Sequence, residues 1–199
     1  MKKKLTKTGI EYSDLAWNFY PGCNHWRNGI CPVGENCWAK TMAHQYKRDF
    51  TPHLIPGLLL APLSVKKPSR ILVNFTGDLF GDWVDPEMNA ELSGFNEEGS
   101  DFSKLSLKRA VDYVLNSCPQ HQFFFLTKAP WNLKKWSPFP DNCWVGVSVI
   151  RCWKGQEVPA EALKLISALG SADCAHRWVS FEPLLDWSDA ERLEWGNEA

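Results

Sequence analysis

Short apolar runs alternate along this chain with segments of helical period, and each run gives way to polar residues where it stops. Ala16 to Tyr20, Ile71 to Phe75, Gln122 to Leu126, Trp144 to Val149 and Trp178 to Phe181 read as strands. Between them, Ala39, Met42, Ala43 and Tyr46 fall at helical spacing and predict a helix over Trp38 to Asp49. Asp85-Pro86-Glu87 opens a short helix, with Asp85 as its cap. Leu107, Ala110, Val111, Val114 and Leu115 mark one face of a further helix, and Ala162, Leu163, Leu165, Ile166 and Leu169 mark another. Ser93 to Asp101 is polar and glycine-containing, as in a surface loop. Strands that alternate with helices pair in parallel through right-handed crossovers. Strands apolar on both faces fit burial between helices and a barrel interior. The expectation is one domain over 1–199 in the α/β class, a partial parallel (β/α) barrel.

With 199 residues, 44% hydrophobic and 23% charged, the chain has the makings of a sizeable core. A net charge of −1 argues neither for nor against nucleic acid and leaves room for a local basic groove. The longest apolar stretch, Leu54 to Leu63, is broken by Pro56, Gly57 and Pro62, well short of the roughly 20 residues that span a membrane. The Lys2 to Lys4 start runs into polar residues rather than an apolar segment, so no signal peptide is expected. A reducing cytoplasm follows, where seven cysteines point to metal or catalysis before disulfides. Eleven tryptophans serve mainly as packing, with some available to stack on a flat ligand.

In parallel α/β folds the chemistry gathers at the C-terminal ends of the strands. Those ends carry Cys23, then Thr76-Gly77-Asp78, then Thr127-Lys128, then Ser148, then Glu182. Cys23, Cys31 and Cys37 share the first of these loops, with gaps of seven and five residues. Three thiolates on one loop suit three irons of a cubane cluster and leave the fourth iron open for S-adenosylmethionine. Reduction would then cleave a carbon–sulfur bond and release an adenosyl radical. Gly22, Gly29 and Gly34 supply backbone freedom for the loop. A tetrahedral zinc site of Cys23, His25, Cys31 and Cys37 fits the spacing equally well, and buried, unliganded thiols are the third reading.

Several motifs occur in order: Ile10-Glu11-Tyr12-Ser13-Asp14 with Trp17-Asn18, Gly22-Cys23, Asn36-Cys37-Trp38-Ala39 and Asn74-Phe75-Thr76-Gly77-Asp78-Leu79-Phe80. Leu126-Thr127-Lys128, Asn142 to Ser148 and Ser180-Phe181-Glu182-Pro183-Leu184-Leu185 follow. Through them the chain, from Gly9 to about Trp187, resembles the phage and mobile-element three-Cys-motif protein family, a radical-SAM-like barrel family of poorly established function. The resemblance implies that Cys23, Cys31 and Cys37 ligate a [4Fe-4S] cluster with S-adenosylmethionine across the C-terminal face of the barrel. By analogy with such barrels, Gly77 and Asp78 would contact the amino group, Ser148 the ribose or carboxylate, and Trp38 the adenine. Two departures stand out: five residues rather than two separate the last two cysteines, and the chain stops soon after the fifth strand, as a truncated barrel would.

Lys128 suits a phosphate or carboxylate at the mouth, or a solvated loop. A carboxylate at a strand end is costly unless paired, so Glu182 is a candidate ligand contact or proton acceptor, with a salt bridge to Lys128 or Arg177 as the structural reading. Asp14 and Asn18 are expected to make structural hydrogen bonds, and Cys118, Cys143, Cys152 and Cys174 to be idle thiols. Lys47 and Arg48 suit the C-terminal dipole of their helix, and no role is assigned to His44 or His121. The expected function is a radical-SAM-like protein acting on an unidentified substrate, for which the phage association points to a nucleic acid or nucleotide in the host cytoplasm. Its alternatives are a non-catalytic zinc module working through a partner protein and an inactive fragment of the barrel.

Overall fold

A computed structural model describes residues 4–25, 27, 31, 37–92, 96–97, 100–101, 104–149, 152–153, 160–181 and 184–185. The strands are β1 (Thr6–Lys7), β2 (Leu15–Trp17), β3 (Arg70–Val73), β4 (Asn96–Glu97), β5 (Ser100–Asp101), β6 (Gln122–Thr127), β7 (Cys143–Val149), β8 (Cys152–Trp153), β9 (His176–Phe181) and β10 (Leu184–Leu185). The helices are α1 (Trp38–Gln45), α2 (Pro56–Leu59), α3 (Leu107–Ser117), α4 (Leu133–Trp136) and α5 (Ala160–Leu169), with 3-10 turns at Ala61–Ser64 and Pro130–Asn132. No described helix is long and apolar enough to cross a membrane.

Six strands form one sheet in the order β1-β2-β3-β6-β7-β9. β1 is antiparallel to β2, and every other pairing is parallel. The five parallel strands follow chain order without reversal. Under the right-handed rule, such an order sends every crossover past the same face of the sheet. That is the winding of a (β/α) barrel, but the described sheet is open, with β1 and β9 as its edges. The parallel pair β8–β10 continues the register of β7 and β9 beyond them.

All five expected strands are present. The first is shorter, because Phe19 and Tyr20 leave the sheet to pack in the core. The core lies on the crossover side, where Trp17, Phe19, Phe80, Phe123 and Phe125 are fully buried. Each contributes about 1.5–3 kcal/mol by leaving water. The Trp17 indole N–H is satisfied by the Leu58 carbonyl at 2.9 Å. α3 presents the expected face, with Leu107, Ala110, Val111, Val114 and Leu115 all buried.

The opposite face of the sheet is aromatic. Phe124 stacks on Trp144 at 5.8 Å and Trp144 on His176 at 4.6 Å, while Tyr12 meets Trp178 edge-on at 5.8 Å. Gly146 makes this possible, because a Cβ there would lie 2.4 Å from the Trp178 ring.

Three local expectations change. Residues 85–88 form a turn rather than a helix: Asp85 Oδ1 accepts the Glu87 N–H at 2.9 Å, and Met88 and Ala90 are taken up by backbone bonds to Leu107 and Leu105. β4 and β5 pair inside the segment expected as a loop. α1 stops at Gln45, with only Ala39 buried, whereas Met42 and Tyr46 face outward.

Candidate functional site

The C-terminal ends of β2 and β3 are drawn together by backbone and amide groups. Asn74 Oδ1 accepts the Tyr20 N–H at 2.9 Å, Asn18 Oδ1 accepts the Thr76 N–H at 3.2 Å, and the Thr76 carbonyl accepts the Gly22 N–H at 3.0 Å. Gly22 and Gly77 then pair directly. Gly22 has φ +90°, a region that L side chains rarely occupy, and a Cβ on Gly77 would lie 2.6 Å from the Gly22 carbonyl oxygen. This glycine contact sets Cys23 beside Asp78. Asp14 and Asn18 make the structural bonds expected of them, Asp14 through an ion pair to Arg70 at 3.2 Å.

Asp78 is the hub. Its buried carboxylate accepts the His25 Nε2–H at 2.7 Å, the Thr127 hydroxyl at 2.9 Å, the Lys128 N–H at 2.9 Å and the Phe80 N–H at 3.0 Å. Burial pushes the carboxyl up, but the bonds from His25 and the two backbone amides outweigh it and hold Asp78 below the usual carboxylate range. An ionised carboxylate only accepts, so Nε2 of His25 carries the proton. Nδ1 of His25 is buried without a hydrogen-bond partner among the described residues, and the ring meets Trp83 edge-on at 4.8 Å. Thr127 in turn accepts the Ala129 N–H at 2.8 Å, which fixes the loop that bears Lys128.

Cys23, Cys31 and Cys37 line one mouth, of about 690 Å³ including its solvent-open part. Trp38, Gly77, Asp78, Lys128 and Ser148 line the same mouth, so eight of the nine expected site residues converge there. Glu182, the ninth, lies outside the described residues. Lys128 Nζ donates to Ser148 Oγ at 3.2 Å, and Trp38, 50% exposed, lies against Phe75 at 4.8 Å. Asp78 enters the mouth already engaged by four protein groups, so a ligand amine would have to compete with them.

The Cys31 N–H donates to the His25 carbonyl at 3.2 Å, and Cys37 is the first residue before α1. Burial pushes the Cys23 thiol up to about 12, so Cys23 is a neutral thiol at pH 7 unless a metal's charge reverses this. Among the described residues no group of three or more His, Cys, Asp and Glu converges as ligands of one ion. A single zinc needs its ligands about 2.0–2.3 Å from one point. A cluster takes one thiolate per iron, so its cysteines stay apart. Three cysteine thiols at one mouth are a donor set that a cluster binding one thiolate per iron can use. Cys118 and Cys143 are buried away from the mouth, in keeping with idle thiols.

Sequence reasoning named Asp78 and His25 but not the bond between them, nor Thr127 as its partner. The one signal was a buried strand ending in Gly-Asp beside another ending in Thr-Lys.

Fold and site together define an α/β protein with a mostly parallel sheet and a cysteine-lined mouth at its C-terminal edge. The chain belongs to the family described as Protein of unknown function (DUF5131), which matches residues 7–196. No curated protein and no solved structure matches it.

Proposed function

We propose that this mouth holds a [4Fe-4S] cluster through Cys23, Cys31 and Cys37 and takes S-adenosylmethionine beside it, as the resemblance to radical-SAM-like three-Cys-motif proteins implies. The observation that carries the reading is the convergence of three cysteines from one loop with the polar ends of the parallel strands. When bound, the two groups would supply reductive cleavage of a carbon–sulfur bond and hydrogen abstraction from a substrate, taken here to be a nucleic acid or nucleotide. Lys128 brings a positive charge that suits the cofactor carboxylate, and Ser148 orients Lys128 through their hydrogen bond. Trp38 offers a half-exposed indole face to a flat ring. The Gly22–Gly77 contact brings the loops that carry Cys23 and Asp78 side by side at the mouth. Glu182 is proposed as the proton acceptor.

The test is anaerobic purification with iron, sulfide and zinc analysis and electron paramagnetic resonance of the dithionite-reduced protein. About four irons and four sulfides per chain, lost in Cys31→Ala and with a spectrum altered by S-adenosylmethionine, would support the reading. No metal, or stoichiometric zinc, would overturn it. One observation favours a zinc module instead: Nδ1 of His25 is buried and has no hydrogen-bond partner among the described residues, while Nε2 is held by a carboxylate, the usual arrangement behind a metal-bound histidine. Stoichiometric zinc lost in both His25→Ala and Cys31→Ala would establish that module, which would work through a partner protein.

A further inference from the structure

α1 is oriented contrary to its apolar spacing. Trp38, Met42 and Tyr46 are 50%, 41% and 58% exposed, and they follow one another at four-residue intervals along one side of the helix. Most single exposed apolar residues need no explanation, but three in register on one helix form a stripe. The stripe spans about 12 Å of helix axis. Trp38 belongs both to the stripe and to the mouth, so the two are continuous.

Along the helix and its C-terminal cap the charged side chains are all basic. From Cys37 to Arg48 the chain carries Lys40, His44, Lys47 and Arg48 and no carboxylate, in a protein of net charge −1. The nearest following acid, Asp49, accepts the Thr51 N–H at 2.8 Å. The helix ends in a Schellman motif: the Arg48 N–H reaches the Ala43 carbonyl at 2.8 Å and the Lys47 N–H the His44 carbonyl at 3.0 Å. The motif puts Lys47 at φ +52°, a left-handed position that favours glycine. A lysine therefore stands where the fold alone favours glycine, next to Tyr46, and the Arg48 guanidinium lies 5.6 Å from the Tyr46 ring centroid.

Aromatic faces interleaved with cations are how proteins hold single-stranded nucleic acid, the bases stacking and the cations tracking the phosphates. An apolar protein partner would not call for this concentration of one charge sign. We infer that the Trp38–Met42–Tyr46 stripe, with Lys47 and Arg48, is a binding platform for single-stranded nucleic acid that leads a strand into the cysteine-lined mouth. The inference deepens the substrate part of the proposed function and rests on that reading only for what happens after binding.

The test is fluorescence anisotropy of 15-nucleotide single-stranded DNA and RNA probes against the full chain, as a function of salt. Tyr46→Ala is expected to weaken binding roughly 5- to 150-fold, the range for loss of one stacked base. Lys47→Gly is expected to raise the melting temperature by relieving the left-handed position, yet to lower the slope of log affinity against log salt by about 0.7. Loss of affinity in a more stable protein separates binding from folding. Binding unchanged within twofold in both variants would overturn the platform, as would absence of binding by the unmodified chain. So would Tyr46-dependent binding to phosphatidylserine vesicles in place of the probes. The same anaerobic preparation is assayed for iron. Probe binding without a cluster leaves the platform standing and the radical reading refuted, and a cluster with no probe binding does the reverse.

Discussion

Replacing Asp78 by asparagine keeps the side chain's shape and removes its charge. One carboxylate oxygen, Oδ1, accepts the Phe80 N–H at 3.0 Å; the other, Oδ2, accepts His25 at 2.7 Å and the Lys128 N–H at 2.9 Å. The Thr127 hydroxyl lies 2.9 Å from both. An asparagine satisfies one side only, so its amide must point either at His25 and Lys128 or at Phe80. Each bond to a charged acceptor is worth about 1.5–3 kcal/mol, and a donor left facing a donor in the interior costs more. The asparagine also relieves the cost of burying a carboxylate, and His25 can shift its proton to Nδ1. The balance is a loss of about 2–4 kcal/mol for Asp78→Asn, with Asp78→Ala at least as damaging because it leaves every donor unpaired. Urea titration followed by tryptophan fluorescence measures it, with unchanged m-values as the sign of an intact fold. A loss below about 1 kcal/mol for both variants would refute the hub.

Gly77→Ala should cost about 3 kcal/mol, since its Cβ would lie 2.6 and 2.7 Å from the Gly22 and Tyr20 carbonyl oxygens, backbone atoms that cannot step aside; thermal melting within 2 °C of the parent would contradict the close approach. Gly146→Ala should cost about 1–3 kcal/mol by displacing the Trp178 ring, which comes within 2.4 Å of the new Cβ, and should alter the near-ultraviolet circular dichroism of the aromatic face; an unchanged spectrum would show that the ring does not sit there. Asp14 is held below the usual carboxylate range, first by the side-chain bond from Arg70. A depressed folded pKa contributes stability that is full above the unfolded value and lost as pH falls through the folded one, so Asp14→Asn should flatten the decline in stability below about pH 4. If the two proteins keep parallel acid limbs, the ion pair contributes nothing.

The strands were legible because a buried parallel strand is a compact apolar run that ends in polar residues, and all five appear. Eight of nine site residues meet at one mouth for the same reason: strand ends in such a sheet share an edge, so their neighbours in space follow from topology. Periodicity failed where it is blind to direction. Ala39, Met42, Ala43 and Tyr46 have the spacing of a buried face, but spacing does not say whether core or solvent lies opposite, and α1 sends Met42 and Tyr46 outward. It also failed at Asp85, where a cap and a proline suit a turn as well as a helix; the pairing of Asn89 with Ser106 takes the chain elsewhere. The His25–Asp78 bond was illegible because its partners lie 53 residues apart and meet only once the cysteine loop folds back on the sheet.

That bond bears on how the three cysteines are held. Cys23 follows the Gly22–Gly77 pairing, and Cys37 precedes α1, where its carbonyl accepts the Thr41 N–H at 2.9 Å. Cys31, between them, is tied through its N–H to the His25 carbonyl, and His25 is tied to Asp78. Two cysteines are thus anchored by regular structure and the third by a chain of two hydrogen bonds that ends on a buried carboxylate. Among the described residues that chain is the backbone tie of Cys31, which predicts that its order follows Asp78 while the outer two cysteines stay held. Hydrogen exchange of the metal-free chain tests this: Asp78→Asn should speed exchange at the Cys31 amide by at least tenfold, a change of about 1.4 kcal/mol in local opening, and leave the Thr41 amide as it was. Equal acceleration at both amides would mean that Asp78 supports the fold at large and not the cysteine loop.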